Sequence, residues 1–115
     1  MQYLSEKDKF TLLAMLEAID KIEIISAEIK SAEEFEKDFR FFDACMMNFI
    51  VLGEMTLRLS PAFLEKHSEV EWHKMRAFRN LVAHDYFGID LAKVWDIIKL
   101  QLPPLKTKLK QITEN

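Results

Sequence analysis

The segment from Met75 to Tyr86 contains several side chains that could act on a phosphodiester. These are Arg79, Asn80, His84 and Tyr86. A guanidinium can hold a phosphate through two parallel hydrogen bonds and can stabilise the added negative charge of a transition state. An imidazole titrates near neutral pH and can therefore move a proton. In RNA the neighbouring 2′-hydroxyl can serve as the nucleophile, so these residue types favour RNA cleavage without a metal ion.

The spacing of these residues allows more than one interpretation. Arg79 and His84 are five residues apart, so on an ideal helix their directions differ by about 140°. Arg76, Asn80 and His84 follow at four-residue steps and share a face, on which Arg76 is a candidate RNA-binding residue. A structural interpretation also stands: both arginines lie on the surface, His84 interacts with the negative end of its helix, and Tyr86 packs over that end.

Composition limits the class of protein. The chain has 115 residues, half of them apolar and 30% charged, with 2 Gly and 3 Pro. This balance excludes disorder, disfavours a turn-rich all-β fold and predicts one all-α domain, 1–115. The net charge of −3 argues against coating of nucleic acid by bulk electrostatics. Residues 1–40 carry ten acids and six bases, and residues 41–115 nine acids and ten bases, so RNA should meet the second part.

Neither a cofactor nor a metal ion is expected. His67 and His73 are six residues apart with only Glu69 and Glu71 beside them, which is not metal-ligand spacing, and there is no glycine-rich phosphate loop. The single Cys45 lies in an apolar run and predicts a buried thiol in a reducing compartment. No basic start with an apolar run and no membrane-length apolar stretch occurs, so a cytoplasmic protein is expected.

Helical periodicity predicts an antiparallel bundle of four to five helices. Ser5 is the expected cap of a first helix from about Glu6 to Lys30, and Ser31 that of a second, uninterrupted helix to about Leu59. A very short connection should make the two antiparallel. The second helix carries apolar residues at helical spacing, interpreted as core rather than as a cofactor site: Phe35, Phe39, Phe42, Met46, Phe49 and Leu52.

The second half of the chain predicts shorter helices. One starts at Ser60-Pro61, the next runs from about residue 70 or 71 to about His84, and Asp90 caps the last, which Pro103-Pro104 must kink or restart. Gly53 predicts a close helix contact, and Glu54 is interpreted as a solvated or interface carboxylate. The helix ending near His84 should bury Trp72, Met75 and either Phe78 or Leu81.

The segment Arg79-Asn80-Leu81-Val82-Ala83-His84-Asp85-Tyr86 resembles the Arg-x4-His-x-Tyr motif of the HepT-like branch of the HEPN domain family. The resemblance covers nearly the whole chain. Relatives commonly carry a Gly just before the arginine of the motif, where this chain has Ala77-Phe78. Further matching segments are Leu52-Gly53-Glu54, Arg58-Leu59-Ser60, Trp72, Tyr86-Phe87-Gly88-Ile89-Asp90, Val94-Trp95, Ile97-Ile98 and Leu102-Pro103.

This resemblance implies a HEPN-like helical bundle that forms a homodimer and acts as the ribonuclease toxin of a type VII-like toxin–antitoxin pair. Arg79 and His84 would be catalytic, with Asn80 assisting, and the motifs of two subunits would line one RNA cleft. The antitoxin would be a minimal nucleotidyltransferase that attaches AMP to Tyr86, and the bulky anionic group would block the site.

Two functional hypotheses follow. The first is a metal-independent endoribonuclease that cuts tRNA or mRNA by 2′-hydroxyl transesterification and leaves cyclic-phosphate ends. The second is a non-catalytic HEPN subunit that docks the nucleotidyltransferase, and an inactive helical scaffold is a weaker third.

Overall fold

Helices form nearly all of the computed structural model, which describes residues 4–114. The all-α prediction is confirmed, because the described part of the chain contains no strand. Residues 1–3 and 115 of the predicted domain 1–115 lie outside the described residues. In chain order the elements are α1 (Glu6–Ser26), α2 (Ala32–Lys37), α3 (Phe39–Thr56), α4 (Pro61–Lys66), α5 (Trp72–His84), a 3-10 turn (Tyr86–Gly88), α6 (Leu91–Asp96), a π-helical segment (Ile97–Gln101) and α7 (Leu102–Glu114).

Side-chain caps set the starts of several helices. The Ser5 hydroxyl accepts the N–H of Asp8 at 3.0 Å and begins α1, and the Ser60 hydroxyl accepts the N–H of Phe63 at 3.2 Å and begins α4. The carboxylate of Asp90 accepts two backbone N–H groups at the start of α6. These predicted caps are confirmed, since each satisfies donors that a helix start leaves free. Ser31 stands at the cap position of α2, but its side chain makes no capping bond.

The prediction of one long second helix was wrong. Its predicted range is divided between α2 and α3 by Asp38, whose extended backbone (φ −128°, ψ 95°) ends one helix and starts the other. The Asp38 carboxylate accepts the N–H of Arg40 at 3.0 Å, which supplies the new helix with its cap. Residues 4–114 therefore contain more helices than the four to five predicted. The first helix is also shorter than predicted and ends at Ser26 rather than near Lys30.

Helix α3 lies between α1 and α5 and contacts both along much of its length. Asp8 near the start of α1 contacts Ser60, just beyond the end of α3, so these helices run antiparallel as predicted. Burial raises the pKa of the Cys45 thiol to about 12, as expected of a structural thiol in this core. The fully buried core side chains include Leu12, Met15, Ile19, Ile22, Phe35, Cys45, Met46, Leu52, Val94 and Leu109.

The C-terminal helical run, residues 91–114, changes its winding before its prolines. The segment Ile97–Gln101 is π-helical, and α7 restarts at Leu102 with Pro103 and Pro104 in its first turn, where missing N–H groups cost little. The ammonium group of Lys106 then pairs with acidic groups of α1, which fixes α7 on that helix. None of the helices in residues 4–114 has the length and apolar character that crossing a membrane requires.

Candidate active site

Helix α5 approaches α3 most closely at Gly53. A Cβ atom there would lie 2.8 Å from the carbonyl oxygen of Met75 and would overlap the Cβ of Arg79. A glycine is therefore needed for the two backbones to come this near. The predicted close contact at Gly53 is confirmed, and it brings Arg79 of the motif directly against the last turns of α3.

The Arg79 guanidinium is held between two side chains. Its Nη2 lies 2.5 Å from the carboxylate of Glu54, and its Nη1 donates to the amide oxygen of Asn80 at 3.0 Å. The Nε atom is buried and has no hydrogen-bond partner among residues 4–114. The Arg79 side chain is 29% exposed, so the guanidinium sits at the surface in a fixed orientation with donors still available. Such a group can bind an anion.

The Arg76 guanidinium also binds the last turn of α3, through Thr56. Its Nε donates to the Thr56 hydroxyl at 3.0 Å and its Nη2 to the Thr56 carbonyl at 2.9 Å. Thr56 is fully buried, and its hydroxyl in turn donates to the Gly53 carbonyl. The structure thus directs part of this guanidinium toward α3, although the sequence placed Arg76 on an open face with Asn80 and His84.

His84 is the last residue of α5 and is exposed, as is Asn80 one turn earlier. Within residues 4–114 no hydrogen bond or ion pair joins His84 to Arg79 of the same chain, which agrees with their five-residue spacing. Asn80 is brought to Arg79, whereas His84 is not. The burial predicted for α5 holds for Trp72 and in part for Phe78, while Leu81 is 41% exposed.

Tyr86 follows α5, and its ring is half-buried as the structural interpretation predicts, although its side-chain contacts are with α3 and Phe87. Its ring meets Phe42 edge-on at 5.6 Å and Phe87 at 5.6 Å between centroids. Its hydroxyl donates to the carboxylate of Asp43 on α3 rather than remaining free in water. The neighbouring Phe87 is fully exposed. Tyr86 is therefore half-buried but lies beside open surface.

Two carboxylates that the sequence did not assign to a site thus hold motif residues: Glu54 holds Arg79 and Asp43 holds Tyr86. Both lie on one face of α3, because their positions fit steps of three and four residues. We call this face the α3 stripe. Large apolar side chains on it are also exposed, at 72% for Phe39 and 62% for Met47. The prediction that Phe39 is a core residue was therefore wrong, because the break at Asp38 makes Phe39 the first residue of α3. The α3 stripe consists of Phe39, Asp43, Met47, Glu54 and Leu57.

Metal ligands do not gather near this site. In the part of the chain from residue 4 to 114, no three His, Cys, Asp or Glu side chains are placed to hold an ion together. The side chains of the site can support a reaction in which a guanidinium binds an anion and an exposed imidazole transfers a proton.

Comparison with known proteins finds a ribonuclease family and relatives described as RNases. The model of the family described as ribonuclease HepT-like matches residues 15–112. A protein of Caldanaerobacter subterraneus subsp. tengcongensis, described as a candidate RNase, is 32% identical over 84 residues, which are 73% of this chain and 75% of that protein. No solved structure matches the chain.

Two archaeal proteins are also similar. A protein of Thermococcus cleftensis, described as a probable ribonuclease HepT, is 28% identical over 102 residues, or 81% of this chain and 93% of that protein. A protein of Methanocaldococcus jannaschii, described as a gamma-glutamylcyclotransferase and candidate RNase, is 29% identical over 106 residues, covering 92% of this chain. The matched part is 47% of that second protein.

Proposed function

This chain belongs to the ribonuclease HepT-like family, and on that premise we propose that it is a metal-independent endoribonuclease. The family and the descriptions of its relatives support a ribonuclease function. The observation that carries the proposal is the state of Arg79. Its guanidinium is fixed at the surface by Glu54, which pairs with Nη2, and by Asn80, which accepts from Nη1. An arginine held in this way is ready to bind a phosphate.

The proposed reaction is transesterification within RNA. The 2′-oxygen attacks the adjacent phosphorus, the bond to the 5′-oxygen breaks, and the products are a 2′,3′-cyclic phosphate and a free 5′-hydroxyl. Arg79 stabilises the charge that develops on the phosphate oxygens. His84 transfers protons, Asn80 fixes the guanidinium, and Arg76 adds positive charge beside the bound strand.

A homodimer supplies the complete site in this proposal. Within residues 4–114 no hydrogen bond or ion pair joins Arg79 to His84, and Phe39 and Met47 of the α3 stripe are largely exposed. Exposed apolar side chains next to a polar site are typical of an interface. Pairing two copies would place two motifs in one cleft, so that one His84 takes the 2′-hydroxyl proton and the other protonates the leaving oxygen.

Tyr86 is the proposed point of control by a nucleotidyltransferase antitoxin that attaches AMP to its hydroxyl. Its partly buried ring lies beside the exposed Phe87, and its hydroxyl is held by Asp43. An AMP group would break the bond to Asp43 and would place a phosphate next to that carboxylate. The added bulk and charge would then hinder RNA from reaching the site.

The test is cleavage of a short RNA by purified full-length protein in the presence of a chelator. We expect cutting that leaves cyclic-phosphate ends and no cutting where the nucleotide before the cut carries a 2′-deoxyribose. Arg79→Ala and His84→Ala should abolish cleavage while circular dichroism remains unchanged. Matched controls are Arg58→Ala and His73→Ala, which change exposed residues of the same types. Full activity in both motif variants would exclude this function.

A further inference from the structure

Glu54 touches the Arg79 guanidinium directly, and the proposed reaction assigns it no role. Its carboxylate oxygen lies 2.5 Å from Nη2 of Arg79, and its side chain is 39% exposed. An ion pair this open to water contributes little to the stability of a fold. The position of Glu54, next to the glycine that admits Arg79, therefore calls for another explanation.

The neighbours of Glu54 show that this turn of α3 is shaped around two arginines. Gly53 leaves room for the backbone and Cβ of Arg79, Glu54 binds its guanidinium, and Thr56 binds that of Arg76. Arg76 links α5 to α3 through its part-buried hydrogen bonds to Thr56. Glu54 acts only on the outer arginine, the one with free donors at the surface.

The hydrogen bonds of Arg79 leave a defined set of donors. A guanidinium carries five N–H groups in one plane. Glu54 accepts from Nη2, Asn80 accepts from Nη1, and the Nε is covered by protein. Each terminal nitrogen thus keeps one N–H that neither Glu54 nor Asn80 takes, and such an N–H can donate to a phosphate oxygen. With two fixed acceptors, the guanidinium plane cannot turn freely.

We propose that Glu54 is a positioning residue that orients Arg79 toward the phosphodiester, an inference that rests on the proposed ribonuclease function. The carboxylate holds the side chain before RNA arrives, so less rotational freedom is lost in the transition state. A small misplacement of a group that stabilises the transition state lowers the rate far more than it lowers binding. Loss of Glu54 should accordingly reduce kcat more than it raises KM.

The kinetic test compares Glu54→Ala and Glu54→Gln with a matched control, Glu71→Ala. Glu71 is an exposed glutamate that pairs with Lys74 at 3.0 Å, away from Arg79. We expect Glu54→Ala to lower kcat about 10- to 100-fold with KM changed less than about threefold, since positioning rather than binding is lost. Glu54→Gln keeps an acceptor and should lose less. Equal kcat in all variants, or a faster Glu54→Ala, would overturn the proposal.

A double variant separates positioning from a general structural effect. In an Arg79→Ala background, Glu54→Ala should cause no further loss of the residual activity, because the group that it positions is already absent. A further loss as large as that in the wild-type background would mean that Glu54 acts independently of Arg79.

Nuclear magnetic resonance of the arginine side chains tests the same contact without catalysis. In the wild type the two terminal nitrogens of Arg79 should give separate signals, because the guanidinium cannot rotate, and in Glu54→Ala the signals should merge. If the wild type fails to cut RNA but this change occurs, the proposed function fails, and the result shows only that Glu54 holds the Arg79 guanidinium. If RNA is cut and the signals are unaffected by Glu54→Ala, the positioning role fails alone.

Discussion

Two polar contacts join the neighbours of α3 to its C-terminal end, and they differ in how completely they are satisfied. At one, the carboxylate of Asp8 accepts the Ser60 N–H at 3.1 Å and its hydroxyl at 2.9 Å, and Asp8 is only 5% exposed. At the other, Arg79 pairs with Glu54 at the surface, and its buried Nε finds no partner in the part of the chain that the structure describes.

The difference separates a structural contact from a functional one. Asp8 lies in the first turn of α1 and Ser60 caps α4, so their contact connects two helix starts and gives the Asp8 carboxylate two hydrogen bonds. A buried polar group that is fully paired stabilises a fold. A surface guanidinium with donors to spare stabilises little and is available to a ligand. Substitutions at the two contacts should therefore affect different measurements.

The largest effect is expected at Gly53, which supports the functional contact and also the packing of α3 on α5. In Gly53→Ala the new Cβ would meet the Met75 carbonyl and the Cβ of Arg79. We expect a loss of about 3 kcal/mol in the free energy of unfolding, the cost of overpacking, together with loss of RNA cleavage. Urea denaturation and the cleavage assay measure the two effects.

Ala44→Gly on the same helix is the control for the change in backbone freedom. It should cost about 1 kcal/mol in unfolding, the ordinary difference between Ala and Gly in a helix, with cleavage retained. A Gly53→Ala protein as stable and as active as the wild type would show that α3 and α5 do not depend on this close approach.

The next effect distinguishes the two arginines on α5. Arg79→Lys keeps the charge but cannot make two parallel hydrogen bonds to a phosphate, so cleavage should fall about 100-fold, or about 2.7 kcal/mol in activation free energy. Arg76→Lys also keeps its charge, and its bonds to Thr56 lie within the protein. Its cleavage rate should change less than about threefold, because a lysine still attracts the strand. Equal losses in both variants would contradict the assignment of separate roles.

At the structural contact, Asp8→Ala should cost about 2 kcal/mol in the free energy of unfolding, because the N–H and hydroxyl of Ser60 lose their acceptor. Cleavage per folded molecule should remain unchanged, since Asp8 is far from the motif in the sequence and bonds only to helix starts. Glu6→Ala, an exposed change in the same turn, is the control and should be nearly neutral. If Asp8→Ala still cleaves RNA poorly at temperatures where it is fully folded, the contact between Asp8 and Ser60 supports cleavage as well as stability, which would contradict the prediction.

The sequence predicted the helix starts more reliably than their interruptions. Ser5, Ser60 and Asp90 were predictable because a cap followed by a helical apolar pattern is a local signal. The break at Asp38 was not, because Phe35, Phe39 and Phe42 have spacing that an uninterrupted helix would also show. Only the local bond of Asp38 to Arg40 and the packing of α2 against α6 decide otherwise.

In the candidate site, too, the local features were predictable from the sequence and the contacts between helices were not. The residues of the motif were predictable because they lie close together in the sequence. Their partners were not, since Glu54 and Asp43 reach Arg79 and Tyr86 through the packing of α3, and no periodicity encodes which carboxylate meets which motif residue. Gly53 was the available signal for that packing, and it pointed to the correct turn of α3 without revealing the ion pair.

The smallest effect on the fold is expected at Tyr86, whose contact with Asp43 lies on the same α3 stripe as Glu54. Tyr86→Phe removes one hydrogen bond at a half-exposed position and keeps the ring against Phe42, so unfolding should change by less than about 1 kcal/mol. Cleavage should continue, because the hydroxyl is absent from the proposed reaction. The two proteins should differ instead in their modification by AMP. After incubation with a nucleotidyltransferase and ATP, mass spectrometry should find AMP on the wild type and none on Tyr86→Phe. AMP on the variant at another residue, with cleavage blocked, would show that control of the site does not depend on Tyr86.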